Sequence, residues 1–395
     1  MGLGCARTTT GGQTNAQDSG ATHHVAPVAV SSKADPEQSQ VATSRVIDPK
    51  QVGVWVNVTP PGINLVHSYN RAGNFGVQDV VADPARPSDL YAFVCYQGVW
   101  RSADFGVSWQ KVSTGKNGDS LDGGRPWTAA IDPNPRRDPK TSPTLYTVNG
   151  YGPKPGLYKS TDFGVNWVHS KLSGPGYDPA YQDVYSLDIN PYDSSHILAG
   201  FHEIGGIAES RDAGATWRLM QPKNGRSLYP FFIDTGDAAS TARTWVAIPQ
   251  WDNGSQETYS TRNAGASWTS LGVFAHSHGG TQIFNGGKGV VYLSGTPGVH
   301  ESVDAGVTKT SIRTISENGI AGTPNYLYVF SSGASSGTLD PVLARAPRSN
   351  VKDWTEVPAP AGMTNGPKRV AVTYDGSHYI LVSGNWLAGI WRYVE

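Results

Sequence analysis

The chain is short of charge. Only 16% of its 395 residues are Asp, Glu, Lys or Arg, against roughly 25% in an average soluble domain. The two signs nearly cancel, with a formal net charge of -1. That balance gives no electrostatic reason to expect nucleic acid or an anionic membrane surface as partner. No apolar run approaches the about 18 residues a membrane-spanning helix needs. Methionine stands at 3 and cysteine at 2. Cys95, inside the apolar run YAFVCY, reads as a small buried hydrophobe. What the chain has instead is Gly 47 and Pro 27, with Trp 12 and Tyr 18. Gly and Pro are about 19% of residues against an average near 12%. A turn-rich, aromatic chain poor in helix formers is an all-β chain.

Residues 1–47 carry almost no periodic apolar pattern and many Thr, Gln, Ser, Gly and Ala. Such a segment cannot bury enough surface to offset its ordering entropy and is expected to be a flexible tether. Within it, Cys5 in MGLGCARTTTGG resembles the region just after a bacterial lipoprotein cleavage site. Gly2 stands where that pattern usually has Leu, and no apolar run precedes it. Two readings stand: a lipid-anchored tether, which would be the chain's one membrane contact, or an incidental cysteine.

From residue 48 to 395 short β-type runs alternate with turn clusters, and one octapeptide recurs. Ser102-Ala-Asp104-Phe-Gly106-Val-Ser-Trp109 is followed by copies at Ser160–Trp167, Ser210–Trp217 and Thr261–Trp268, and by Ser302–Lys309, which has lost its Trp. The Asp and Ser side chains can bond the turn's own backbone N–H groups. Gly supplies a positive φ, and the Trp opens the next strand and packs between sheets. These Asp residues are therefore expected to form turns rather than catalyse. Asp83-Pro84, Asp132-Pro133 and Asn190-Pro191 mark an earlier turn in each unit. One unit thus has four strands, A to D, with the octapeptide between C and D. Its last position recurs every 41 to 58 residues, which suits one propeller blade.

A sixth unit runs from about Asn325 to Val357. A seventh starts at Lys368 and stops after strand C, since Gly389-Ile-Trp391-Arg392 matches Gly98-Val-Trp100-Arg101. The missing strand D is at the other end: Gly53-Val-Trp55 through Val58 matches Trp109 to Val112. The expectation is a single seven-bladed β-propeller over residues 48–395, its ring closed by the N-terminal strand so that no sheet edge is left open.

The octapeptide resembles the Asp-box, or BNR repeat, of sialidase-like propellers, and phrases such as GLYKSTDFGVNW are closest in style to xyloglucanase and sortilin-type blades. The resemblance spans the whole body and implies a carbohydrate-active or binding propeller. It departs in two ways. Those xyloglucanases use two propellers with a cleft between them, and no sialidase arginine triad is recognisable. Fold likeness does not confer activity.

Function must come from the loops of one face, where the D–A connections and B–C turns converge over the channel. The connections carry His67, Tyr69, Arg71, Asp79, Arg125, Trp127, Tyr181, Asp183, Tyr229, His276, His278, Lys368 and Arg369, and the B–C turns carry Tyr96, Tyr151, His202, Glu203, Trp251, Asp252 and Trp386. Aromatic planes beside carboxylates, His and Arg suit a sugar, whose apolar faces stack while its hydroxyls need donors and acceptors. Gln78-Asp79-Val80 and Gln182-Asp183-Val184 recur at the start of strands A, and two such carboxylates could act as general acid and base, or cap the strand start. His276 and His278 could hold a metal or a base; they lack an obvious third ligand. His202-Glu203, beside two glycines, forms a candidate catalytic pair. His300-Glu301 looks similar but aligns with Trp100, a blade-packing position.

The leading expectation is a secreted or surface-anchored glycoside hydrolase, extracellular or in the cell envelope, acting on a polysaccharide or glycan. It would be monomeric and would need no cofactor, with any metal left open. Its catalytic candidates are Asp79, Asp183, His202, Glu203 and His278. Its binding candidates are His67, Tyr69, Arg71, Arg125, Trp127, Tyr151, Tyr181, Trp251, Asp252, His276 and Trp386. The alternatives are a polysaccharide lyase using His, Tyr and Arg, and a non-catalytic lectin or assembly factor. The loops differ strongly between blades, which favours one asymmetric site over a repeated lectin site.

Overall fold

Seven antiparallel four-stranded sheets account for every strand among the described residues. The computed structural model describes residues 49–69, 73–175, 182–202, 205–222, 227–250, 257–274, 282–331 and 341–395. Those residues lie in one unit, Val41–Glu395. The sheets follow one another in sequence, each running from an inner strand A to an outer strand D. The inner strands are Val77–Ala82, Ala129–Ile131, Val184–Asn190, Leu228–Phe232, Ile283–Gly287, Gly319–Gly322 and Arg369–Tyr374. The sixth begins upstream of the expected Asn325, because its glycine-rich strand carries no β-branched or aromatic signature beyond Ile320.

The seventh sheet is completed as expected by Trp55–Asn57, which pairs Trp55 with Tyr393 and Asn57 with Trp391. Trp55 packs on Tyr393 and Phe330 at ring-centroid distances of 5.2 and 6.2 Å, so the closing strand also fills the space between blades six and seven. Apolar faces of neighbouring sheets meet in this way around the ring, with Trp167, Trp217 and Trp245 almost wholly buried.

The recurring octapeptide forms one turn five times. Ser102 Oγ donates to Asp104 Oδ1 at 2.9 Å, Gly106 N–H donates to Ser102 Oγ at 2.9 Å, and Ser108 N–H donates to Asp104 Oδ1 at 2.8 Å. The same bonds recur at Asp162, Asp212, Asn263 and Asp304. Glycine is not alone in its positive φ. Phe105, Phe163, Ala213, Ala264 and Ala305, each just before it, sit at φ 56–60°. These side-chain bonds stabilise a left-handed pair whose first member is not glycine.

His300 behaves as its alignment with Trp100 implies. It is buried against Phe274, with ring centroids 5.0 Å apart, and burial lowers its pKa to about 4.

Candidate functional site

Strand register sets the depth of each inner-strand side chain. Val77 pairs with Val94 and Val184 with Phe201, so the two valines are equivalent. Asp183 therefore precedes its strand, at the channel mouth, whereas Asp79 lies beyond Val77. The two Gln-Asp-Val sequences are out of register by three residues, about 10 Å of strand rise. Asp79 is equivalent instead to Ser186, Tyr229, Gly319 and Arg369, one residue from each of five inner strands.

Asp79 is 4% exposed. Its Oδ1 accepts the Val80 N–H and its Oδ2 the Ala129 N–H, both at 2.8 Å, with Arg369 Nε 3.9 Å away. Burial raises its pKa against the pull of Arg369 and these N–H groups. This carboxyl laces blade one to blades two and seven. Tyr229 Oη and Ser186 Oγ, in the same layer, are buried with no hydrogen-bond partner among the described residues. Arg369 and Asp183 both act electrostatically on Tyr229, which brings blades three, four and seven together across the lumen.

At the mouth three sequence candidates converge. Asp183 Oδ2 lies 3.0 Å from His202 Nδ1 and accepts the Tyr151 hydroxyl at 3.1 Å, and Tyr151 Oη is 3.4 Å from His202 Nδ1. With Asp183 ionised, Nδ1 carries the imidazole proton and Nε2 is the acceptor atom. The residue is held twice more: the His202 backbone N–H donates to the Asp183 carbonyl at 3.1 Å, and Tyr185 stacks on the imidazole at 4.0 Å with planes 4° apart. Tyr151 is 49% exposed and Asp183 keeps 32% of its side chain open, so these two face solvent, while His202 is buried behind them at 6%.

An aromatic wall continues from Tyr185 through Trp127, Phe75 and Trp386, with successive centroids 4.6, 5.5 and 5.3 Å apart. Trp127 and Trp386, expected to touch a sugar, are 6% and 2% exposed; they back the more open Phe75. His67, 5.4 Å from Phe75 and bonded through Nδ1 to the Asn74 carbonyl, stands at the rim. Tyr69 lies beside it in the same half-exposed connection. Arg125 sits among four rings, its guanidinium carbon 5.3, 5.6, 5.6 and 4.9 Å from the centroids of Phe75, Tyr96, Trp127 and Tyr151. Its Nε donates to Tyr96 Oη at 2.8 Å. Lys368 lies 4.6 Å above Trp386, and burial lowers its pKa to about 8.

The backbone gives way to build this wall. Tyr96, Tyr151 and Trp386, in the B–C turns of blades one, two and seven, hold φ of 59, 57 and 48°. Bulky residues in that region cost of order 1–3 kcal/mol each and cluster at functional sites. Gly73 admits Arg125: a Cβ there would lie 2.2 Å from its Nη2. Gly76 admits the Trp386 turn, its would-be Cβ 2.3 Å from the Trp386 carbonyl oxygen.

Arg71, Tyr181, Glu203, Trp251, Asp252, His276 and His278 lie outside the described residues, as does Cys5. Among the described residues no group of three or more His, Cys, Asp or Glu is arranged to hold a metal. Phe75 and Tyr185 were missed by sequence reasoning. Phe75 carried a weak signal, an aromatic just before Gly76 in a D–A connection; Tyr185 is one aromatic in an ordinary β run.

No protein-family model matches the chain. Over 183 positions it is 31% identical to the xyloglucanase Xgh74A of Acetivibrio thermocellus, covering 38% of this chain and 20% of that enzyme. A second Xgh74A sequence from the same species is 30% identical over the same shares. The chain thus spans about a fifth of the length of these relatives. Among solved structures, the GH74 xyloglucanase of Xanthomonas campestris matches with a TM-score of 0.57 at 19% identity, covering 86% of this chain and 53% of that one. YCF48 from Cyanidioschyzon merolae matches with a TM-score of 0.53 at 13% identity, covering 86% and 98%. The chain is a seven-bladed β-propeller with xyloglucanases among its neighbours. Its sequence likeness to them is weak and partial, and the structural likeness is one of fold.

Proposed function

We propose that the chain is a carbohydrate-active enzyme that acts on a polysaccharide or glycan at the channel mouth, by acid/base chemistry centred on Asp183. The observation that carries this reading is the Asp183 carboxylate shared by His202 and Tyr151 under an aromatic wall. The partial likeness to xyloglucanases favours hydrolysis. In that reaction Asp183 acts as one carboxylate and Glu203, next in sequence to His202, as the other. Asp79, enclosed by backbone N–H groups, is assigned to the frame.

A second reading, elimination at a uronic acid, is favoured by the closeness of Tyr151 Oη to His202 Nδ1. There His202 Nε2 would take the proton, held in its tautomer by Asp183, and Tyr151 would protonate the leaving oxygen. A polysaccharide panel read for new reducing ends and for unsaturated-uronate absorbance tests both. Reducing ends alone mark a hydrolase, and the absorbance marks a lyase. Binding without either product leaves a lectin.

The five Asp-type turns support placing the chain among Asp-box propellers. Secretion or surface anchoring, with residues 1–47 as tether to the propeller of 48–395 and Cys5 as the lipidated residue, completes the reading, together with a monomeric state. Mass spectrometry of the mature N-terminus and the sedimentation mass test those parts.

A further inference from the structure

The layer that holds Asp79 runs right round the channel. Thr128 and Gln282 stand one place ahead of the Ala129–Thr147 and Ile283–Leu293 pairs, and the Ser294 N–H donates to the Gln282 carbonyl at 2.9 Å. With Asp79, Ser186, Tyr229, Gly319 and Arg369 they make one residue from each of the seven blades. On blades seven, one and two these groups serve one another: Arg369 Nε stands 3.9 Å from Asp79, whose carboxyl is also bonded by Thr128. On blades three, four and five they do not. Ser186 Oγ, Tyr229 Oη and both ends of the Gln282 carboxamide are enclosed with no hydrogen-bond partner among the described residues, in residues 1%, 0% and 0% exposed. Blade six adds only Gly319.

A hydroxyl or carboxamide taken out of water without a new partner destabilises the folded chain. Alanine, phenylalanine and methionine would fill the same three places without that cost. Here three successive blades carry it at one height, below the mouth. The Tyr229 ring lies 6.4 Å from Tyr185, the ring that stacks on His202, and Asp183 and Tyr151 both act electrostatically on Tyr229. The arc therefore adjoins the Asp183 cluster. Its three polar groups can turn to a ligand without breaking a hydrogen bond among the described residues. Their chemistry selects that ligand. Two hydroxyls and a carboxamide each donate and accept, and none is charged; the layer's charges, Arg369 and Asp79, stand together on the other arc. A carboxylate would give up its hydration here for neutral partners, whereas a sugar hydroxyl, itself donor and acceptor, matches them.

Resting on the reading of the mouth as a saccharide site, we propose that the arc of blades three to five is a binding subsite for a neutral sugar unit that enters the channel below Asp183. Its hydroxyls bond Ser186 Oγ, Tyr229 Oη and the Gln282 carboxamide. The empty protein carries the cost of three unpartnered groups, and the bound sugar removes it.

The test is calorimetric titration of the full chain with cellotetraose, xylotetraose and mannotetraose as neutral probes and tetragalacturonate as the charged one, alongside melting without ligand. A neutral probe should bind more tightly than tetragalacturonate. Ser186→Ala, Tyr229→Phe and Gln282→Met should each weaken the neutral probe about 3–10-fold, the equivalent of about 0.7–1.4 kcal/mol, while the ligand-free Tm stays level or rises. That pairing of weaker binding with undiminished stability is what a merely structural role would not produce. Circular dichroism identifies a variant that fails to fold, and the other two then decide. Wild-type affinity in the folded variants, the result if the arc holds ordered water only, overturns the subsite and leaves the saccharide reading of the mouth standing. So does a loss of affinity that only follows a loss of Tm. Tighter binding of tetragalacturonate overturns the neutral assignment, and binding of no probe overturns both readings.

Discussion

Replacing Asp188 by asparagine should stabilise the protein, and more so as pH rises. Asp188 lies in the inner strand of blade three and its Oδ2 accepts the Phe232 N–H of blade four at 2.7 Å. Burial raises its pKa from 3.8 to about 7, against backbone N–H groups of Phe232 and Ile189 that pull it down. The folded chain therefore holds this proton more tightly than the unfolded chain. The favourable contribution is complete below about pH 3.8 and lost as pH rises through 7. A shift of about three units corresponds to about 4 kcal/mol. The residue keeps partial solvent exposure, and discounting for screening leaves about 2–3 kcal/mol. Asparagine retains an oxygen for the Phe232 N–H and carries no charge. With an unfolding entropy of about 0.7 kcal/mol/K for a domain of roughly 350 residues, the expected gain in Tm is about 3–4 °C. Differential scanning calorimetry of both proteins from pH 4 to 8.5 measures it. The difference between them should start near zero and widen with pH. A difference that stays constant, or a variant less stable at pH 8.5, refutes the reasoning.

Trp55→Ala should cost about 3–5 kcal/mol and lower the urea midpoint sharply, since Trp55 is 3% exposed and fastens the closing strand; an unchanged midpoint would show that the ring is held without it. Burial works against Asp304, but bonds from Thr308 and Ser302 outweigh it and bring its pKa to about 2. Its stabilisation should hold above pH 3.8 and vanish as pH falls through 2, so wild type and Asp304→Ala should converge in acid melts. Tyr229→Phe removes a buried hydroxyl that has no partner among the described residues, so Tm should stay level or rise by the equivalent of up to about 1 kcal/mol; a marked fall would reveal a partner for that hydroxyl.

Much of the propeller was legible because its signals are local and repeated. An Asp or Asn four residues before a Ser, Thr or Asn backbone N–H writes the same turn each time, and Trp55 could be matched to the strand that follows Trp109. What a local pattern cannot carry is depth. Val77 and Val184 open their strands in the same register, with a bulge at the same place in each, so Gln-Asp-Val sequences set three residues apart relative to that register end up at the mouth in one blade and inside the channel in the other. Phe105 in the left-handed region was equally hidden, since that conformation is imposed by its neighbours' side chains. The site was legible residue by residue: Asp183, His202, Tyr151 and Arg125 each stood out as chemistry in the right loops. Their convergence was not, because it joins turns of different blades and depends on ring packing by Phe75 and Tyr185, ordinary aromatics in sequence.

The most direct test of the central claim is turnover by Asp183→Asn beside wild type, on whichever polysaccharide of the panel wild type degrades. Asparagine preserves the shape of the group but removes the charge that fixes the His202 tautomer and drives acid/base transfer. The account expects kcat/KM to fall by at least about 100-fold, with Tm and ligand affinity little changed. Turnover within a fewfold of wild type, in a variant that is folded and binds, would place the chemistry elsewhere and contradict it.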